Sequence, residues 1–237
     1  MLGKIVNRDG ENIDYTLHSG DDQVKEIVVI GHGVTGNKDR PFVIELANAI
    51  AKTGIHVLRF SFTGNGESDG HFSDSTITKE VEDLESVLKA VCEYSITYAG
   101  HSMGGAVGVL RASRDSRISK LISLAGMVHT EAFAEREFGT EKPDAGYMWG
   151  EEDCPLSKVY MDDMSKIKTV VNAGSDIKVP WLLVHGSEDD VVPLSDSEDI
   201  KKASGSNVDL CVIDGADHVF SNHTSKMTSV VVDWLRS

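Results

Sequence analysis

The chain has 237 residues, 40% of them hydrophobic and 26% charged, and carries a formal net charge of -15. That length suits one large α/β domain, and the composition is that of a folded globule rather than a disordered chain. So acidic a surface repels nucleic acid and anionic lipid, and neither is an expected partner.

The opening "KIVNRDGENIDYTLH" alternates around Asp9-Gly10 and reads as a β-hairpin. "EIVVIGHG" follows as a short, continuously apolar strand over 26–30. "RPFVIELANAIAKTG" then reads as a helix, with Pro41 suited to its first turn and Gly54 to its stop. "IHVLRFSF" is the next strand. In "STITKEVEDLESVLKAVCEY" the apolar residues Ile77, Val81, Leu84, Leu88 and Val91 recur at helical spacing. "SITYAG" is a strand, "MGGAVGVLRAS" a helix of small residues, and "ISKLISLAG" another strand. "VPWLLVHG" and "NVDLCVID" supply two more around the polar helix "SDSEDIKKAS". The last helix, "SKMTSVVVDWLRS", places Met227, Val230, Val231 and Trp234 on one face. Short apolar strands alternating with helices predict an α/β fold, with a mostly parallel central sheet covered by helices on both faces.

Residues 127–178 break this rhythm, because a single crossover helix would suffice there. The stretch mixes charges with Phe133, Phe138, Tyr147, Met148, Trp149, Tyr160, Met161 and Met164. It reads as a small, partly helical cap inserted into a core formed by 1–126 and 179–237. Its aromatics suit either a substrate pocket or the cap's own interior. Cys92, Cys154 and Cys211 lie far apart with no C-x-x-C spacing, which reads as reduced thiols. No ligand spacing for a metal is present, and no cofactor is expected. The start lacks the apolar core of a signal peptide, and no apolar run approaches membrane-spanning length. The expectation is a cytoplasmic protein with no membrane span; a homodimer is compatible with it.

Two segments match G-x-S-x-G: "GESDG" at 66–70 and "GHSMG" at 100–104. A nucleophile elbow needs a strand running directly into a sharp turn, with a helix leaving at once. "SITYAGHSMGGAVGVLRAS" meets that demand, with glycines at 100, 104 and 105 removing side-chain bulk. "GESDG" is separated from its strand by a loop, and Glu67 and Asp69 would oppose an oxyanion. Ser102 is therefore the candidate nucleophile and Ser68 the decoy. Upstream, "VVIGHGVTG" ends a strand where the Val34 N–H can join that of Met103 as an oxyanion hole. Downstream, "LLVHGSEDDVVP" ends a strand in a run of acids, and "IDGADHVF" ends the last strand with His218. Serine, then acid, then histidine, each at the carboxyl end of a strand, is the hydrolase order. Of Glu188, Asp189 and Asp190 only one can orient the histidine. Asp217 reads as ordering its own turn, His223 as a less favoured base, and His32, His101 and His185 as hydrogen-bonded scaffold.

With these motifs the chain resembles the α/β-hydrolases over nearly its full length. "HGVTGNKDRP", "FTGNGESDG" and "HGSEDDVVP" are most similar to the branch of small esterases, acylglycerol lipases and serine aminopeptidases that includes cinnamoyl (feruloyl) esterases. One departure is Ser61, which stands where relatives usually carry Asp. The resemblance implies the α/β-hydrolase fold and selects Asp189 by its spacing from His185 and Pro193. The expected activity is cofactor-independent cleavage of small-molecule carboxylic esters, of short, medium or hydroxycinnamoyl acyl groups, through an acyl-enzyme on a Ser102–His218–Asp189 triad. The rival readings are a serine aminopeptidase or proline iminopeptidase-like exopeptidase, which could use Glu131, Glu135, Glu137 and Glu141 on a substrate ammonium, and a thioesterase. A hydrolase-shaped binding protein with no turnover is disfavoured, because serine, acid and histidine are all present.

Overall fold

The computed structural model describes residues 2–237. Strands β1 (Ile5–Val6) and β2 (Asn12–Ile13) pair antiparallel, with Gly10 at φ 84° turning the chain between them. The predicted hairpin is thus a short ladder, and β3 (Tyr15–His18) continues past it onto the main sheet. Then come β4 (Glu26–Gly31), α1 (Pro41–Ala51), β5 (His56–Phe60), α2 (Ile77–Ala90), β6 (Ser95–His101), α3 (Met103–Ala112) and β7 (Ile118–Leu124). After β7 lie α4 (Thr130–Phe138), α5 (Lys158–Ile167) and the single turn α6 (Val171–Gly174). The chain closes with β8 (Trp181–Gly186), α7 (Leu194–Ala203), β9 (Val208–Ile213) and α8 (Thr224–Leu235).

The seven main strands lie in the order β3-β5-β4-β6-β7-β8-β9. Only β3 runs antiparallel, against β5; every other pairing is parallel. The strands are apolar on both sides because both sides are covered. In β4, Val28 and Ile30 face a core layer built from α1 and α8, while Ile27 and Val29 face one built from α2 and α3. The period of two along the strand therefore sorts one run of valines and isoleucines into two separate cores.

Ile77, Val81, Leu84, Leu88 and Val91 are all buried, as their helical spacing requires. Thr76 caps α2, its side chain accepting from the Lys79 N–H. The buried face of α8 differs from expectation: it is Met227, Thr228, Val231 and Leu235. Val230 and Trp234 are half-buried against that layer, and the Trp234 indole N–H donates to Asp209 of β9 at 3.2 Å. The polar end of the indole finds a partner there that the core layer could not offer.

Residues 127–178 contain α4, α5 and α6 and sit between β7 and β8. Phe133, Phe138, Tyr160 and Met164 are buried within this segment, the rings of Phe138 and Tyr160 meeting edge to face. Leu84, fully buried in α2, bears on the larger core layer. Leu84→Ala should cost about 3 kcal/mol of unfolding free energy in urea titration. The exposed Val212→Ala should cost far less.

Candidate active site

Strand β6 ends at His101 and α3 begins at Met103, so Ser102 alone makes the turn. Its backbone lies at φ 53° and ψ -120°, a conformation that a residue bearing Cβ holds only where its surroundings impose it. Those surroundings are glycines. A Cβ on Gly100 would collide with the Gly104 carbonyl, and one on Gly104 would lie 2.5 Å from the His32 carbonyl oxygen. Gly33 passes so near that a Cβ there would stand 2.7 Å from Ser102 Cβ. The Ser102 N–H donates to the Leu124 carbonyl at 3.0 Å, and the Ser102 carbonyl accepts from the Gly105 and Met127 N–H groups. The hydroxyl thus sits at the N-terminus of α3, where the helix dipole favours negative charge.

The Met103 N–H opens α3, and the Val34 N–H lies in the turn after β4. Neither has a hydrogen-bond partner among the described residues. The loop carrying Val34 is held by His32, whose Nδ1–H donates to the Gly33 carbonyl at 2.8 Å while Nε2 accepts from the Phe62 N–H at 3.0 Å. That pattern requires a neutral ring, and burial pushes the His32 pKa down to about 4. Arg40 adds a further tie, donating to the Thr35 carbonyl at 2.8 Å.

Asp189 follows β8 and His218 follows β9, and the parallel register brings them together. The Asp189 side chain is fully buried, and it accepts from His218 Nδ1–H at 2.9 Å. It also accepts from the Val191 and Val192 N–H groups at 3.0 and 2.8 Å. Burial opposes its ionisation, but hydrogen bonds from His185 and His218 outweigh that and hold its pKa well below the usual carboxylate range. Glu188 and Asp190, its neighbours, point to solvent. His185 is completely buried, with ring nitrogens on Ser197 Oγ at 2.7 Å and the Val192 carbonyl at 2.9 Å. His101 donates Nε2–H to the His218 carbonyl at 3.0 Å, which fixes the backbone of the histidine turn. Burial, with His218 close by, pushes the His101 pKa down to about 3, so it stays neutral.

Ser102 and His218 line one cavity of about 330 Å³, together with His101, Phe42, Trp149 and Val219. No hydrogen bond joins the Ser102 hydroxyl to the His218 ring; such contacts often close only around substrate. With Asp189 on Nδ1, the second ring nitrogen of His218 is left free to receive a proton.

Several other residues fall elsewhere. Ser68 Oγ accepts from the Asp14 N–H at 2.8 Å and donates to the Ser61 carbonyl at 2.7 Å, so it ties strands together. Ser61 accepts from the Lys38 N–H. Asp217 caps its own turn through the Ser221 N–H, and His223 precedes α8 away from the cavity. Glu131, Glu135, Glu137 and Glu141 do not line the cavity. Glu137 instead holds Arg136 and the Trp149 indole. Of the aromatics in 127–178, Trp149 reaches the cavity while Phe133, Phe138 and Tyr160 pack inside. Asp196 was not singled out from sequence, yet its buried carboxylate accepts from the Val128 and His129 N–H groups and anchors the root of the inserted segment. It lies in an acid-rich run that carries no motif, so only its burial marks it.

Residues 22–139 match the family described as serine aminopeptidase, S33. The match includes Ser102 and stops short of Asp189 and His218. Est1E of Butyrivibrio proteoclasticus, solved with ferulic acid bound, superposes with a TM-score of 0.87 at 25% identity, over 97% of this chain and 96% of that one. A protein of Mycobacterium tuberculosis is 26% identical over 197 residues, 81% of this chain and 62% of its own. The palmitoyl-protein thioesterase ABHD10 of Bos taurus is 24% identical over 197 residues, 78% of this chain and 64% of its own. The chain thus spans a little under two thirds of the length of these two curated relatives. The chain belongs to the α/β-hydrolase superfamily, in its esterase and serine aminopeptidase-like branch.

The depressed pKa of Asp189 has a consequence for stability. A carboxylate more acidic when folded than unfolded stabilises the native state above its unfolded pKa of about 3.9, and that contribution fades as pH falls through the native value. Relative to Asp189→Asn, the wild type should therefore be more stable at neutral pH. Denaturant titrations at several pH values should show the gap shrinking below about pH 4.

Proposed function

We propose that the protein is a serine hydrolase that cleaves carboxylic esters through an acyl-enzyme. The observation that carries this reading is the Asp189–His218 pair meeting at the cavity that Ser102 lines, with two unengaged N–H groups beside it. Ser102 Oγ attacks the ester carbonyl carbon as its proton passes to His218 Nε2. The carbonyl oxygen, now negative, is held by the Val34 and Met103 N–H groups, each such donor contributing about 3 kcal/mol in comparable sites. Collapse of that adduct breaks the C–O bond, and the departing alcohol takes the proton from His218. Water then attacks the acyl-Ser102 ester by the same route in reverse order, releasing the acid. Asp189 remains ionised throughout and stabilises the histidinium.

Residues 127–178 act as a cap in this reading, since Trp149 from that segment borders the cavity. Ferulic acid bound to Est1E supports an ester substrate, and the thioesterase activity named for ABHD10 supports the same acyl transfer to a thiol-linked group. The exopeptidase reading draws on the family match, but the glutamates it would use lie away from the cavity.

Ser102→Ala should lower kcat on p-nitrophenyl esters by about 10⁴-fold or more. A fluorophosphonate probe should label the wild type at Ser102 and leave the variant unlabelled; a variant retaining near wild-type turnover sinks the proposal. Faster release from proline or alanine p-nitroanilides than from the esters would make the protein an exopeptidase instead.

A further inference from the structure

The cavity beside Ser102 is walled by uncharged groups except at one place. His32 and His101 are neutral, and Asp189 lies behind His218 and does not reach the wall. Apart from His218, the one lining residue able to carry a charge is Arg40, an exposed residue at the N-cap of α1. Its Nη2–H donates to the Thr35 carbonyl at 2.8 Å, and Thr35 lines the cavity too, so the guanidinium lies at that wall. This is the one hydrogen bond its side chain makes among the described residues, and no carboxylate there pairs with it. Asp39, next in the chain, is taken by Lys38 and Arg59.

Acidic residues outnumber basic ones 38 to 23 in this chain, and Arg111, Arg117 and Arg136 each hold a carboxylate. Arg40 holds none. Its bond to Thr35 steadies the oxyanion loop, which a neutral donor could also do. The rest of the fork, at Nε and Nη1, is free, and a planar guanidinium is shaped to take a carboxylate through two parallel hydrogen bonds. Helix α1 starts on the same wall with no acid in its first turn, so its positive end adds to the field there. The reach is short. Gly33 abuts Ser102, and Thr35, two residues further on, lies at most about 7 Å from Gly33. An ammonium at this place meets repulsion, which opposes an exopeptidase substrate.

We propose that Arg40 selects esters bearing a carboxylate a few bonds from the scissile carbonyl, which it holds on the free edge of its guanidinium. The proposal rests on the ester-hydrolase reading of Ser102 and names its substrate class: half-esters of dicarboxylic acids, or acyl esters of hydroxy acids. Both present the same group to Arg40 and differ in which half carries it. Phe42, Trp149 and Val219 border the place, so the pair is screened less than on an open surface. A net charge of -15 repels anions at long range, so selection for one has to be made at contact, by a local cation.

Two pairs of esters test it, each matching a carboxylate against the carboxamide of the same shape: 4-acetoxybutanoate against 4-acetoxybutanamide, and monomethyl glutarate against methyl glutaramate. The first pair carries the charge on the alcohol, the second on the acid. In the wild type at least one pair should favour the carboxylate. Its kcat/KM ratio should fall about tenfold or more in Arg40→Gln. Arg40→Lys, which keeps the charge but not the fork, should fall between the two, and it serves if thermal unfolding shows Arg40→Gln to be unfolded. Loss of the Thr35 bond alone slows both members of a pair alike and leaves the ratio where it was. Ratios unchanged in every folded variant therefore overturn the proposal. So does a preference for the carboxamide in both pairs, or faster hydrolysis of 4-acetoxybutylamine than of 4-acetoxybutanoate. If the wild type hydrolyses none of these esters, the ester-hydrolase reading is what has failed. Calorimetric binding of glutarate against glutaramide then judges Arg40. Tighter binding of glutarate, lost in Arg40→Gln, supports its role, and equal binding rules it out.

Discussion

The constraint on which the rest depends is the close approach of three backbone segments around Ser102. The end of β4, the turn after β6 and the start of α3 meet at distances that only glycine permits. Gly33, Gly100 and Gly104 each lie where a Cβ would strike backbone or the serine itself. This crowding holds Ser102 at φ 53°, which an isolated serine would seldom adopt. The Val34 and Met103 N–H groups, on the loop after β4 and at the start of α3, are carried by the same clamped backbone; in the proposed reaction such fixed donors need little reorganisation when charge develops.

Around that turn the charges are arranged by exclusion. His32 and His101 are kept neutral by burial; His32 uses both ring nitrogens and His101 its Nε2 as fixed struts. Asp189 remains anionic in a buried place because it accepts from His218 and from the Val191 and Val192 N–H groups, with His185 Nε2 3.3 Å away. A chain of net charge -15 thus places one buried, well-satisfied carboxylate on the histidine and lines the cavity itself with no other. That carboxylate's neighbours Glu188 and Asp190 are left to solvent.

Against this economy the seam between α2 and α5 stands apart. The core layers on the two faces of the sheet are mostly apolar, whereas the junction with the inserted segment buries a carboxyl oxygen of Glu80 and the phenol hydroxyl of Tyr160, which have no hydrogen-bond partner. The segment has its own interior, built on Phe133, Phe138 and Tyr160, and its root is fixed by Asp196. Its buried residues nonetheless belong to one hydrophobic cluster with those of α2 and α3, so the segment is packed continuously onto the core.

Much of this was readable along the chain, for a local reason. Strand and helix periods in β4, α2 and β6 report which side of each element is buried, and an elbow is a contiguous motif, so Ser102 could be told from Ser68 by the strand before it and the helix after it. The order of the three polar residues also followed from linear spacing. What the polymer alone did not disclose depends on separation in sequence. Within "SEDD" the residues alone leave the acid open and only the family resemblance selected Asp189; the physical reason is β8 lying beside β9 in parallel register, which sets His218 against one side of the turn. The bond from Trp234 to Asp209, the anchoring role of Asp196, and the division of the aromatics between cavity and interior belong to the same class. The facing of Glu80 and Tyr160 across the seam is the extreme case. Periodicity determines which face of a helix is buried, but only packing decides what it is buried against, because that partner arrives from a distant part of the chain.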